Sequence, residues 1–277
     1  MALILMYITN DEKIARIAED SGVDWIFIDL EIIGKEKRQG HLDTVISRHS
    51  IEDVKKIKNV LSKSQLLVRV NPLNDGSKYE IDKVINDGAD IVMLPYFKTK
   101  NEVETFIDYV NNRAKVCLLC ETAEAVENID DILIVPGIDY IHIGLNDLHL
   151  SYGMNFMFEL LAAGTVEMLC KKFKEQGIRY GFGGVARLGD GILPAENIIA
   201  EHYRLGSSMV ILSRSFCNTK IYYDINLIEK IFKNGIREIR EYEKMLSHKP
   251  KGFYQKNLEY IKNRVKEIVS SKEKSCD

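Results

Sequence analysis

Short apolar runs alternate along the chain with segments in which apolar residues recur at helical spacing. The runs lie at Leu3–Ile8, Trp25–Leu30, Leu66–Val70, Ile91–Pro95, Val116–Glu121, Tyr140–Gly144, Tyr180–Val185 and Met209–Leu212. Runs of this length, apolar at nearly every position, read as parallel strands buried on both faces. Most gaps between them carry a helical pattern: Glu12–Ser21, Ile51–Leu61, Lys78–Asp87, Asn101–Asn112, Ala123–Leu133, Phe156–Gln176 and Glu196–Leu205. Several of these open after Ser, Thr or Asp and stop at Gly, the usual start and stop signals. Gly22-Val23-Asp24, Gly88-Ala89-Asp90 and Gly137-Ile138-Asp139 repeat one junction, a helix end running into the next strand. Eight such units predict an α/β fold of the TIM (β/α)8 barrel type. A doubly wound open sheet is the alternative. It has little support, because no GxGxxG follows a strand and no GxxxxGK[ST] is present.

Two stretches depart from the repeat. The segment from Glu31 to Ser50 is long and polar and lies on the side where barrel loops carry function. After about Asp224 the pattern reads as two more helices, Ile225–Leu246 and Phe253–Ser271, broken at His248-Lys249-Pro250-Lys251-Gly252. The expected organisation is therefore a catalytic barrel over residues 1–223 and a helical extension over 224–277. The extension would cover the barrel, a partner subunit or the mouth of the site.

Composition narrows the class. The chain has 277 residues, 45% hydrophobic and 29% charged, ordinary values for a soluble globular enzyme. A net charge of −3 speaks against a nucleic-acid or membrane-surface role. The opening MALILMYITNDEK is too short to span a bilayer and lacks the basic start of a signal peptide. Five cysteines, odd in number and scattered, fit a reducing cytoplasm. Cys117 and Cys120 resemble a CxxC pair, but three residues apart on a strand they face opposite sides.

The chemistry gathers at the strand ends, where barrels place their active sites. Glu121 ends the fifth run, and Asp147 follows the sixth within Gly144-Leu145-Asn146-Asp147. Two carboxylates on one rim, completed by water and substrate oxygens, suit Mg²⁺ or Mn²⁺. They would otherwise cap helices or pair with Lys and Arg. Arg69 ends the third run and is either a structural partner of Asp29 or Glu31, or a fixed charge beside a developing oxyanion. Gly183-Gly184 and Arg214 either form a tight turn with a surface Arg or occupy the positions where many barrels bind phosphate or carboxylate groups. His41 and His49, in the long loop, are candidate bases. His142, inside a strand, reads as an interior group, and His149 lies two residues past Asp147.

The segments DWIFIDLE, LLVRVNP, GADIVMLPYF, CETAEAVENIDDI and GIDYIHIGLNDLHLSYG resemble, in order and spacing, the HpcH/HpaI aldolase and citrate lyase family. The resemblance covers about residues 3–215. It implies a metal-dependent barrel that makes or breaks carbon–carbon bonds through a pyruvate-like or acetyl-CoA enolate. On that basis Glu121 and Asp147 would hold the metal, Mg²⁺ or Mn²⁺ with Co²⁺ also suitable, and Arg69 would contact the oxo or enolate oxygen. The backbone from Gly144 through Leu145 and Asn146 to Asp147 would hold the substrate carboxylate, and Asp29 and Glu31 would organise the second strand's side. Small-molecule partners, a 2-oxo acid and an aldehyde, and a homo-oligomeric state are implied as well.

Three departures separate the chain from its branches. Class II pyruvate aldolases carry a histidine directly after the D-x-E of strand 2, and here that position is Ile32. They also carry a loop with Pro and Gly-x-Arg before strand 5, where this chain has only Asn111-Asn112-Arg113-Ala114-Lys115. The citrate lyase β and malyl-CoA lyase branch has D-L-E-D, and Ile32 again replaces its last member. The leading expectation is an aldolase acting on a 4-hydroxy-2-oxo acid. The alternatives are an acyl-CoA lyase with the C-terminal helices as a lid, and a barrel subunit without catalysis.

Overall fold

The computed structural model describes residues 2–34, 49–219 and 221–273. Eight parallel strands close into a barrel in sequence order. The elements are β1 (Ile4–Ile8), α1 (Glu12–Asp20), β2 (Trp25–Asp29), α2 (Ile51–Lys58), β3 (Gln65–Arg69), α3 (Ser77–Asn86), β4 (Ile91–Leu94), α4 (Lys100–Val110), β5 (Lys115–Cys120), α5 (Ala123–Glu127), α6 (Ile129–Leu133), β6 (Tyr140–Ile143), α7 (Leu145–Ser151), α8 (Glu159–Ala162), α9 (Thr165–Glu175), β7 (Arg179–Val185), α10 (Ala195–Leu205), β8 (Met209–Leu212), α11 (Ile225–Leu246) and α12 (Lys251–Glu273).

Strand alternation divides the apolar residues into two cores. Met6, Trp25, Phe27, Leu67, Met93 and Leu119 pack inside the barrel. Leu5, Ile26, Ile28, Val68, Leu94 and Leu118 face outward and pack with the helices. Cys117 belongs to the inner core and Cys120 to the outer one, as their spacing requires. The inward alternation also decides which strand-end side chains reach the mouth: Asp29 continues the Trp25–Phe27 row, Arg69 follows Leu67, and Glu121 follows Leu119.

The repeated Gly-x-Asp junction closes the other end of the barrel. Asp24, Asp90 and Asp139 each accept a backbone N–H from the start of the preceding strand: Leu5 at 2.8 Å, Leu66 at 2.7 Å and Val116 at 2.9 Å. The backbone N–H of each aspartate returns a bond to the carbonyl of that same residue. The glycine two positions earlier has φ of 98° to 104°, a conformation that side chains resist. The motif thus ends a helix, turns the chain and sets a strand in register in three residues.

Most helices lie where the periodicity predicts, with differences that have local causes. Ala123–Leu133 is two short helices meeting at Asn128, and 156–176 contains α8 and α9 with a break at Gly164. α7 starts directly after β6, so Asp147 lies in a helical first turn rather than on a strand. α11 packs against α1 and α10, with Ile228, Phe232, Ile236 and Ile239 in the outer core. It therefore lies in the helical ring between the helix that precedes β8 and the helix that follows β1. α12 packs on α10 and α8, along the barrel's outer layer. That placement does not support the C-terminal helices as a lid over a thioester. Among the described residues no helix is long and apolar enough to cross a membrane.

Candidate active site

β2 and β3 pair with Asp29 opposite Arg69, which brings two inward charges together. Arg69 Nε and Nη2 donate to the two Asp29 carboxylate oxygens, each at 2.8 Å, a bidentate fork. Its Nη1 lies 3.3 Å from Glu31 Oε2. The Arg69 side chain is 12% exposed, and those of Asp29 and Glu31 are 2% and 0% exposed. Burial opposes the guanidinium's charge, but the attraction of Asp29 and Glu31, the bonds to Asp29 and the field of Glu121 reverse that effect and raise its pKa. The arginine is held charged and fixed in direction. Arg69 is paired with Asp29 and Glu31, and Glu121 adds to the field that holds it charged.

Glu121 lies one residue past β5, buried, with Oε1 accepting the Tyr96 backbone N–H at 3.1 Å. Tyr96 has φ of 54°, rare for a side chain this large, and such strain typically costs about 1–3 kcal/mol. Sequence reasoning passed over Tyr96, because hydrophobic periodicity carries no trace of a positive φ. Gly144 faces Glu121 closely: a Cβ there would fall 2.8 Å from both Glu121 Cβ and Oε2. Asp147, also buried, follows in the first turn of α7. Two buried carboxylates with a side-chain-free cradle beside one of them form an all-oxygen donor set. Among the described residues no group of three or more His, Cys, Asp or Glu could hold a metal. Two carboxylates of this kind suit a cation that completes its shell with water and substrate, the habit of Mg²⁺ and Mn²⁺.

The second strand's side is braced by an amide network. Ile32 and Ile33 both donate backbone N–H groups to Asn71 Oδ1, at 2.9 and 3.0 Å, and Asn71 Nδ2 donates to Glu80 at 2.8 Å. The Ile32 side chain, where the family histidine would stand, is 59% exposed. His49 Nδ1 accepts the Asp29 backbone N–H at 3.0 Å, so the neutral ring carries its proton on Nε2. His41 lies outside the described residues. His149 is turned to its own helix, with Nδ1 against the Leu145 carbonyl at 3.1 Å.

Beneath the rim two imidazoles are buried. His142 Nε2 bonds the Gly183 carbonyl at 3.1 Å. His202 stacks on Phe182, with centroids 3.8 Å apart, and its Nδ1 meets Ser207 Oγ at 2.7 Å. Burial pushes His142 down to about 4; the Gly183 carbonyl opposes this and Arg69 adds to it. Burial, and then His142, push His202 down as well. The unfolded chain therefore binds protons near pH 6.5 that the native barrel refuses until much lower pH. Stability contributed by neutral His142 is complete above 6.5 and is lost as pH falls toward 4. For His142 the loss amounts to about 3 kcal/mol, at about 1.4 kcal/mol per pH unit. Urea midpoints measured from pH 7 to pH 4.5 should fall steeply for the wild type and less steeply for His142→Leu. Parallel slopes would remove the assignment.

The β6–β8 side completes the rim. Leu145 is buried against β7: a Cβ at Gly183 would meet its Cδ1 at 2.7 Å. Asn146 is half-buried in the first turn of α7. Gly184 faces Ser213, which donates its backbone N–H to the Val185 carbonyl at 2.8 Å. Arg214 is exposed and lines a cleft of about 310 Å³ with Arg187, Ser215, Asn218 and Tyr222. Asp29, Glu31, Arg69, Glu121, Gly144 and Asp147 thus gather along β2, β3, β5 and β6, while Gly184 and Arg214 lie further round on β7 and β8.

Comparison with known proteins agrees with this architecture. A family model described as HpcH/HpaI aldolase/citrate lyase matches residues 3–165. A 2-keto-3-deoxy-L-rhamnonate aldolase of Shigella dysenteriae serotype 1 (strain Sd197) is 26% identical over 205 residues, 62% of this chain and 70% of that protein. The enzyme of that name from Escherichia coli O17:K52:H18 (strain UMN026 / ExPEC) is 27% identical over 171 residues, 50% of this chain and 58% of that protein. The chain thus spans little more than half the length of this second relative. Among solved structures, an HpcH/HpaI aldolase from Desulfitobacterium hafniense DCB-2 superposes with a TM-score of 0.60 at 17% identity, covering 87% of this chain and 93% of the other. The citrate synthase SbnG does so at 0.61 and 19%, covering 79% and 90%. At these identities the structures speak for the fold alone. The family match extends over more than half of the chain and includes the strand ends that bear Asp29, Arg69, Glu121 and Asp147. Divalent-metal dependence is typical of the aldolases of that family, and the chain belongs to the HpcH/HpaI aldolase/citrate lyase family as a lyase of the aldolase type.

Proposed function

We propose that this enzyme cleaves or forms a 4-hydroxy-2-oxo acid, with pyruvate or a close relative as the enolate partner and an aldehyde as the other. The observation that carries this reading is the Arg69 fork on Asp29 and Glu31, fixed on the same rim as Glu121 and Asp147. Making an enolate from a 2-oxo acid places negative charge on one oxygen, and a preoriented guanidinium lowers the cost of that charge. In this reading Glu121 and Asp147 hold the divalent metal, Mg²⁺ or Mn²⁺, and Gly144 leaves the space that it and the substrate need. When bound, the metal supplies a Lewis acid for the 2-oxo acid's oxygens. The backbone amides at Leu145 and Asn146, in the first turn of α7, are left over from helix bonding and suit the substrate carboxylate. Asp29 and Glu31 hold Arg69 rather than the substrate.

The proton step distinguishes this chain within its family. Ile32 has no proton to move. The Nδ1 lone pair of His49 is committed to the Asp29 amide, which supports a positioning role for His49 at the end of β2. The remaining candidates for the base are His41 and a water. The relatives named for 2-keto-3-deoxy-L-rhamnonate support a 2-oxo acid substrate with a hydroxylated chain. The test is proton NMR of pyruvate in deuterated buffer with the purified protein, with and without Mg²⁺ or Mn²⁺. Metal-dependent loss of the methyl signal is expected. Its absence, with metal shown to bind, would exclude a pyruvate enolate.

A further inference from the structure

β7 leaves regular pairing just below the rim. Between Gly181, opposite Met209, and Gly184, opposite Ile211, it takes three steps where β8 takes two. A bulge of this kind is common beside active sites, and it disrupts the ladder locally. Gly183 lies in it with φ of 56°, a left-handed conformation that glycine adopts freely. Its carbonyl is met by His142 Nε2 at 3.1 Å. A carbonyl can only accept, so that nitrogen carries the neutral ring's proton.

His142 reaches Gly183 from inside the barrel. It continues the inward row of β6 from Tyr140, and its register partners are Leu119 on β5 and Gly181 on β7. An apolar side chain would fill this place at less cost. The imidazole is buried, and its Nδ1 has no hydrogen-bond partner among the described residues. A buried acceptor left unmet is expensive. What imidazole supplies, and leucine or phenylalanine cannot, is the N–H for Gly183.

The bulge in turn seats the helix that bears Asp147. A Cβ at Gly183 would lie 2.7 Å from Leu145 Cδ1, so the Leu145 side chain takes the space that glycine leaves. Leu145 is buried and is the first residue of α7. On the other side the same turn is tied to β5. Gly144 donates its N–H to the Cys120 carbonyl at 3.0 Å, and its own carbonyl accepts the first helix bond, from Leu148, at 3.1 Å. Asp147 lies between Leu145 and Leu148 in that turn. Two anchors therefore set its direction: Gly144 against β5, and Leu145 in the β7 bulge.

We propose that His142 is a positioning residue for the metal site. Its Nε2–H fixes the β7 bulge, the bulge seats Leu145, and Leu145 sets the direction of Asp147. The inference rests on the reading in which Glu121 and Asp147 hold the metal, and deepens it.

Mn²⁺ binding to the purified full chain, followed by electron paramagnetic resonance of the free ion, tests it without turnover. His142→Phe keeps a ring in the same space and removes the donor. Its Kd for Mn²⁺ should rise about 10-fold, the lower end of what losing a residue behind a metal ligand costs. His142→Gln carries an amide N–H to the reach of Nε2 and should restore most of the affinity. Leu169→Ala, a buried truncation on α9, separates positioning from plain loss of stability: it should lower the Tm and leave the Kd unchanged. Wild-type affinity in His142→Phe overturns the proposal. So does a loss that His142→Gln fails to reverse, or one that Leu169→Ala reproduces. If His142→Phe does not fold, His142→Asn, whose amide is too short to reach Gly183, takes its place in the comparison. A wild type that binds no Mn²⁺ would bring down the assignment of Glu121 and Asp147 by itself. Amide hydrogen exchange then decides for His142: the Leu148 N–H should exchange faster in His142→Phe than in the wild type or His142→Gln. Equal exchange in all three overturns the link from His142 to α7, whatever the metal does.

Discussion

Glu121→Gln is expected to lower metal-dependent turnover by on the order of 10³-fold, since several kcal/mol of transition-state charge stabilisation depend on the metal site. The substitution changes little else. Glutamine has the same shape, and one amide oxygen can still accept the Tyr96 N–H that Glu121 Oε1 accepts now. The fold should survive, because Glu121 stands past the end of β5 and joins neither of the two apolar cores. Removing its charge also removes its attraction to Arg69. The metal-free variant should therefore unfold at or slightly below the wild-type temperature. The two proteins should separate when metal is added. At a hundred times Kd, a ligand that binds only the native state adds about 2.7 kcal/mol to stability. The wild type should show that gain in a thermal melt with Mg²⁺ or Mn²⁺, and Glu121→Gln should lose most of it. Asp147→Asn should behave in the same way. Wild-type turnover in either variant, or an undiminished metal-dependent shift, would end the assignment of this pair.

Much of this site was legible because charged residues at the ends of apolar strands have few places to go. Alternation sends Asp29, Arg69 and Glu121 inward, and a parallel barrel gathers its strand ends on one rim. The partnership between them was less legible. That Arg69 would fork onto Asp29 and also reach Glu31 depends on the register of β2 against β3, which local pattern does not contain. Tyr96 was invisible for a related reason: its contribution is a backbone amide held in a strained conformation. The role of Asn71 was hidden because its carbonyl braces amides nearly forty residues away in sequence. Helix existence was clear and helix assignment less so. The pattern of Ile225–Leu246 shows an amphipathic helix but not which surface takes its apolar face, and the surface proved to be the gap between α1 and α10.

Arg69 is where stability and chemistry meet most directly, and replacing it should damage both by separable amounts. Arg69→Met fills much of the same space without charge or donors. It leaves Asp29 and Glu31 buried with no guanidinium between them. Breaking a buried ion pair by removing one partner typically costs about 3–5 kcal/mol, and the lower part of that range is expected because the rim admits some water. Adding Asp29→Asn to Arg69→Met should restore part of the loss, since it removes one of the stranded charges. Turnover should not recover in that double variant, because the positive charge beside the enolate oxygen is still missing. Arg69→Lys divides the two effects in another way. Its ammonium keeps the charge but cannot span both Asp29 oxygens in a fork, so its direction is no longer fixed. It should unfold nearer the wild type than Arg69→Met and still lose on the order of 10²-fold in turnover, the cost of misplacing one oxyanion donor. Urea unfolding and pyruvate methyl exchange, measured on all three variants, decide the matter. If Arg69→Met is as stable as the wild type, the buried triad is not the structural element proposed. If Arg69→Lys exchanges pyruvate protons at the wild-type rate, charge alone suffices, and the fork held by Asp29 has no part in catalysis.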